Sequence, residues 1–141
     1  MVQMCDTERH RYLCQLTLGP LRLTNTWPMY TVNGYKFYTK AWNEDRKTYN
    51  CGVCAKGAGE GGVENDFYGI LKDVVEIEYP GEPIKKCILF SCHWFDNTRD
   101  IGTRVHNDFG IVEIRHTRRY RKYDPFILQL LQLRCITCHI R

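Results

Sequence analysis

The run Cys92-His93-Trp94-Phe95-Asp96, inside "ILFSCHWFD", sets a thiol, an imidazole, an indole, a phenyl ring and a carboxylate side by side. A thiol next to an imidazole is the raw material of a nucleophilic pair, and with a carboxylate it is the raw material of a metal site. Neighbours on a strand point to opposite faces, however, so Cys92 and His93 cannot grip one ion together without a kink. A Cys–His nucleophile would need its imidazole from elsewhere in the fold. The stronger reading is architectural: Cys92 and Trp94 packed inside, His93 on the other face.

The eight cysteines include two Cys-x-x-Cys pairs, Cys51/Cys54 in "CGVC" and Cys135/Cys138 in "CITCH". Together they have the donor set of a tetrahedral zinc site, with His139 as an alternative ligand. The long separation of the pairs, and a second pair lying in a tail without turn glycines, count against it. The expectation is no cofactor, with zinc on Cys51, Cys54, Cys135 and Cys138 as the alternative. "CITCH" also fits haem attachment, a chemistry that normally follows export. The acids Asp66, Asp73, Glu76 and Glu78 read as a solvated strand face, not as the convergent set that two-metal hydrolysis needs. No nucleophile elbow, phosphate loop or dinucleotide fingerprint is present, so a non-catalytic protein is expected.

The binding signal lies further on. In "RHTRRYRK", Arg115, Arg118, Arg119, Arg121 and Lys122 flank Tyr120, pairing phosphate-binding cations with a stacking ring. Charge is divided along the chain: residues 56–82 carry two lysines against seven carboxylates, net −5, whereas residues 110–141 carry seven cations against two carboxylates, net +5. A solvated strand end is the competing reading of the basic stretch.

Positioning these residues falls to a modest domain. The 141 residues, 43% hydrophobic and 26% charged, make one core. The first residues, "MVQMCDTERHRYLCQL", have no unbroken apolar stretch, and no run approaches the roughly 18 apolar residues of a membrane span. No membrane association, a reducing compartment and buried free thiols are therefore expected. "MYTVNGYKFYTK" carries Asn33-Gly34 at a type I′ hairpin turn. "TYNCGVCA" is a second β-prone run, and residues 56–66, with "KGAGEGGVEN", read as a mobile loop. In "FYGILKDVVEIEY", Phe67, Leu71, Val75, Ile77 and Tyr79 share one parity; Asp73 interrupts it and marks a candidate bulge. "YPGEP" turns the chain into "KKCILFSCHWF", where Ile88, Phe90, Cys92 and Trp94 share a face and both faces are apolar enough for a central strand. "FGIVEIRHT" adds a strand, and "YDPFILQLLQL" opens as a short helix with Asp124 as N-cap. The fold class is mainly β: a small barrel or a strongly bent antiparallel sheet over residues 26–128, after a partly ordered leader (1–25) and before an atypical tail (129–141).

In this order, "LGPLRL", "YTVNGYKFYTKAWNEDRKTYNCGV", "DFYGILKDVVEIEY", "ILFSCHWFD", "GIVEI" and "YDPFIL" resemble a plant domain of unknown function of the DUF4216 type, associated with transposases of the CACTA (En/Spm) class. The likeness runs from about Leu18 to Leu128; the tail "QLLQLRCITCHIR" departs from it. The resemblance implies an accessory, non-catalytic module of a transposon-derived nuclear protein that contacts nucleic acid or chromatin. A protein-interaction domain that pairs with a transposase core or with itself is the alternative, as is a decayed fragment without function. At the level of architecture, the strand pair is also similar to bromo-adjacent homology modules. That likeness singles out Tyr68, Trp94 and Phe95 as an aromatic cage for a cationic group.

Overall fold

The computed structural model describes residues 6–46, 51–56, 66–106, 108–109, 111–120, 126–128 and 133–136. In chain order these form α1 (Asp6–Thr17), β1 (Asn25–Trp27), β2 (Met29–Val32), β3 (Tyr35–Tyr38), α2 (Lys40–Asn43), β4 (Gly52–Ala55), β5 (Phe67–Tyr79), β6 (Lys85–Trp94), β7 (Thr103–His106), β8 (Ile111–Ile114), β9 (Phe126–Leu128) and β10 (Leu133–Ile136). The main sheet is antiparallel and open, in the order β10-β4-β5-β6-β9, with β1 also on β5. The hairpins β2-β3 and β7-β8 stand outside it. Of the two architectures expected, the bent sheet is the one formed; among the described residues the strands do not close into a barrel.

β5 and β6 form the ribbon on which everything else hangs. Their register slips between Leu71 and Asp73, leaving Lys72 as an extra residue. This is the bulge that the misplaced Asp73 foreshadowed, but its consequence reaches further than expected. Beyond it the parity of β5 inverts, so Val74 joins Leu71 in the core while Val75, Ile77 and Tyr79 move to the opposite face. Glu76 and Glu78 then share the face of Val74. They are not a free solvated row: both lie 3.2 Å from Lys86 Nζ, and their side chains are only 12% and 23% exposed.

β6 behaves as its sequence indicates. Ile88, Phe90 and Cys92 enter one cluster with Phe37, Val53, Ala55, Leu71 and Val74, and Trp94 packs against it. The β2-β3 hairpin supplies the cover. Asn33 and Gly34 take positive φ (52° and 79°), as a type I′ turn requires, and the tight hairpin lays Phe37 and Tyr30 against Phe90 with ring centroids 5.1 and 6.2 Å away. Such edge-on pairs add about 0.5–1.5 kcal/mol each to the burial of the rings. Gly69 is required opposite Trp94, because a Cβ there would come within 2.7 Å of the indole and 2.9 Å of the His93 carbonyl.

The other face of the ribbon is only partly covered. A smaller cluster of Cys51, Ile70 and Phe95 sits there, with Ile114 of β8 against it. The face under β2-β3 is the core face below, and this second one the open face.

Two elements fall in the leader and the tail, and one differs from expectation. The leader contains α1, fastened to the β5-β6 hairpin: Leu21 N–H donates to the Glu78 carbonyl (2.7 Å), and Lys85 lies 4.6 Å from the Tyr12 ring centroid while donating to Gln15. "PFIL" does not begin a helix; Phe126–Leu128 pair with β6 as a strand, because Ser91, Phe90 and Leu89 offer an open sheet edge that a short helix would leave unpaired. The tail contributes β10, paired with β4 from Leu133↔Ala55 to Ile136↔Gly52. The glycine-rich segment expected to be mobile lies, over residues 57–65, outside the described residues.

Candidate functional site

The opening run divides between the two faces, as alternation demands. Cys92 is a core thiol whose pKa burial pushes up to about 12, so at neutral pH it stays protonated and packs as a small hydrophobe. Trp94 also faces the core side, where Phe67 meets it edge-on (6.5 Å) and Tyr120 meets Phe67 in turn (5.4 Å). Phe95 is buried on the open face, and its N–H donates to the Tyr68 carbonyl at 2.9 Å. The three residues proposed as a cage therefore do not share a face: Gly69 pairs with Trp94, which puts its neighbour Tyr68 on the opposite side. The aromatics that do converge are Phe67, Trp94 and Tyr120.

Asp96 ends the strand as a hydrogen-bond hub. Its Oδ1 accepts from the Thr98 N–H (3.0 Å) and hydroxyl (2.6 Å), and its Oδ2 accepts from Arg118 Nε–H at 3.0 Å. Its backbone N–H donates to the Arg118 carbonyl at 3.1 Å. The Thr98 hydroxyl and N–H, then Arg118, hold the carboxyl down to about 2. Asp96 thus ties the turn after β6 to the basic stretch, a structural duty.

That duty removes Arg118 from the set of available cations. Of the five basic residues singled out, Arg115 and Arg119 are exposed, Arg118 is paired with Asp96, and Arg121 and Lys122 lie outside the described residues. Arg119 forms a β-bridge with Phe95, which sets it on the open face two residues along β6 from His93. Here two cations arrive that the linear sequence does not group with it. His93 is held below its ordinary 6.5 first by desolvation, then by the charges of Arg119, Lys72 and Lys40, with Asp73 opposing. Lys72 is the bulge residue of β5, and Lys40 opens α2, which packs against β5. The charge of Lys40 also reaches the buried Cys51, whose pKa burial raises.

The site is therefore a mainly cationic surface in which the charges of Lys40, Lys72 and Arg119, from three segments, outweigh that of Asp73 at one imidazole. Sequence reading finds Arg119 through the basic run. It misses Lys40, whose neighbours carry no charge pattern, and Lys72, which alternation sets on the face of Ile70 but nothing in the sequence links to Arg119. Of the zinc candidates, Cys51 and Cys54 are buried, Cys135 is aligned with Val53 in the β10–β4 ladder, and Cys138 lies outside the described residues. Among the described residues, no three His, Cys, Asp or Glu side chains are grouped to share an ion.

The fold and this patch define a bent antiparallel β-sheet module with one packed and one cationic face. The family model described as "Domain of unknown function (DUF4216)" matches residues 75–131, from the second half of β5 through β6 and the basic stretch to just past β9. No curated protein and no solved structure matches the chain. Among the described residues, no helix is long and apolar enough to cross a membrane.

Proposed function

We propose that the chain is a non-catalytic nucleic-acid-binding module of a transposon-derived protein of the CACTA class, acting in the nucleus on DNA or chromatin. The observation that carries the binding reading is the convergence of Lys40, Lys72 and Arg119 around His93 on a sheet face left partly open. Cations brought together from separate segments neutralise adjacent phosphates, and the exposed Arg115 extends their reach. The resemblance to transposase-associated domains supports the rest. Titration with labelled nucleic acid at several salt concentrations tests it: affinity should fall linearly in log–log form, with a slope of several phosphates. Salt-independent affinity, or none at low salt, contradicts it.

A second reading, a protein-interaction domain, is favoured by the apolar side chains exposed from α1 to β1. Leu13, Leu18, Leu23 and Trp27 are between 45% and 88% exposed. Sedimentation of the purified chain over a wide concentration range checks self-pairing; a strict monomer counts against it.

A further inference from the structure

Beside the cationic patch, the hairpin and α2 present a second feature. The rings of Tyr38 and Trp42 lie 14° from parallel with centroids 6.4 Å apart, and the Arg46 guanidinium sits 5.0 Å from the Trp42 ring centroid. Trp42 is nevertheless 42% exposed. Its backbone is fixed from below: Thr39 is the N-cap of α2 and accepts from the Trp42 N–H, while Asn43 is buried, its side-chain amide donating to the Thr39 carbonyl at 3.5 Å. An aromatic side chain held in place by a buried anchor, still 42% exposed and with a cation over its ring, has the form of a stacking platform. Tyr38 reaches Trp42 from the end of β3 and Arg46 from the turn after α2, so the three meet across three local segments. Lys40, whose charge bears on His93, lies two residues before Trp42 at the start of the same helix.

We propose that Trp42, supported by Tyr38 and Arg46, stacks an unpaired base and makes the surface of α2 a site for single-stranded nucleic acid. The inference rests on the nucleic-acid reading above and narrows it. In a duplex the base faces are covered by their neighbours, so Trp42 has nothing to stack on; a single strand can run its phosphates along Lys40, Lys72 and Arg119 and turn a base outward. Glu44 and Asp45, two and three residues after Trp42, keep phosphates off that end and favour the base over the backbone there.

The test uses the full chain, a labelled oligothymidylate and a labelled duplex of equal length. The single strand should bind more tightly. Trp42→Ala should weaken it at least about fivefold, the lower end of what one base stack contributes, and leave duplex binding unchanged. Trp42→Phe should retain most of the affinity, and Arg46→Ala should lose part of it, so the proposal stays testable if the alanine variant folds poorly by circular dichroism. Equal affinity for the two forms with Trp42→Ala neutral, or binding of the duplex alone, overturns this inference and leaves the nucleic-acid reading standing. Failure of both probes to bind overturns the two together.

Discussion

The two faces of the β5-β6 ribbon are built from alternate residues of the same strands, yet they obey different rules. On the core face, Phe90, Leu71 and Val74 are fully buried and covered by the β2-β3 hairpin. On the open face a small apolar cluster is overlooked by His93 and three cations that have no structural need to be neighbours. Burial fixes one face; on the other, charges from three segments bear on one exposed imidazole and are left to solvent or an anionic partner. One strand can serve both ends because a side-chain period of two keeps packing and binding apart.

Breaking the core face should have the largest effect. Phe90→Ala removes a ring that meets two others and should cost about 3–5 kcal/mol, read from urea denaturation. A loss below about 1 kcal/mol would mean that this face is not the main core.

Next comes the corner where the faces meet. The Asp96 carboxyl, held near 2 against an ordinary 3.8, binds a proton less readily folded than unfolded. Its contribution is thus complete above about pH 4 and lost as the pH falls from there toward 2. Asp96→Asn should lower stability at neutral pH and flatten the acid limb of the stability–pH curve. An unchanged acid limb would remove Asp96 from its role as a hub.

The open face should give the smallest stability effect, with a different pH signature. The folded pKa of His93 lies below 6.5, so the unfolded chain takes up the proton first and stability declines as the pH drops through that value. His93→Gln should abolish this decline and change little at pH 8. Anion binding should reverse the tendency by favouring the protonated ring, so wild-type affinity for nucleic acid should rise on acidification more than that of the variant.

Much of the core face was legible in the sequence. The Asn33-Gly34 pair specifies its own turn geometry, and Ile88, Phe90, Cys92 and Trp94 specify theirs by strict alternation. What escaped did so for identifiable reasons. A bulge is visible as a broken parity, but which residues change face depends on where the ladder slips, and that turned Val75 and Ile77 away from the core. Phe126–Leu128 carried helix-start signals that lost to an available sheet edge. The short hairpin of β7 and β8 was half seen, since "GTRVH" is too polar to announce a strand. The cationic site lay furthest from reach, because Lys40, Lys72 and Arg119 meet only after folding, while the Arg118 beside them in sequence is claimed by Asp96.

The account stands or falls on whether the three cations act as a local site or only as part of a net charge of +4. The most direct measurement compares two charge-matched variants in salt-dependent titrations with a labelled single strand: Lys40→Ala/Lys72→Ala/Arg119→Ala, and Arg9→Ala/Arg11→Ala/Arg22→Ala on the exposed leader. The open-face variant should lose most of its affinity and show a log–log salt slope shallower by roughly 2, about 0.7 for each phosphate contact removed, with stability unchanged within about 0.5 kcal/mol. The leader variant should bind like wild type. Equal losses in the two would mean that binding follows overall charge, and would contradict a site on the open face.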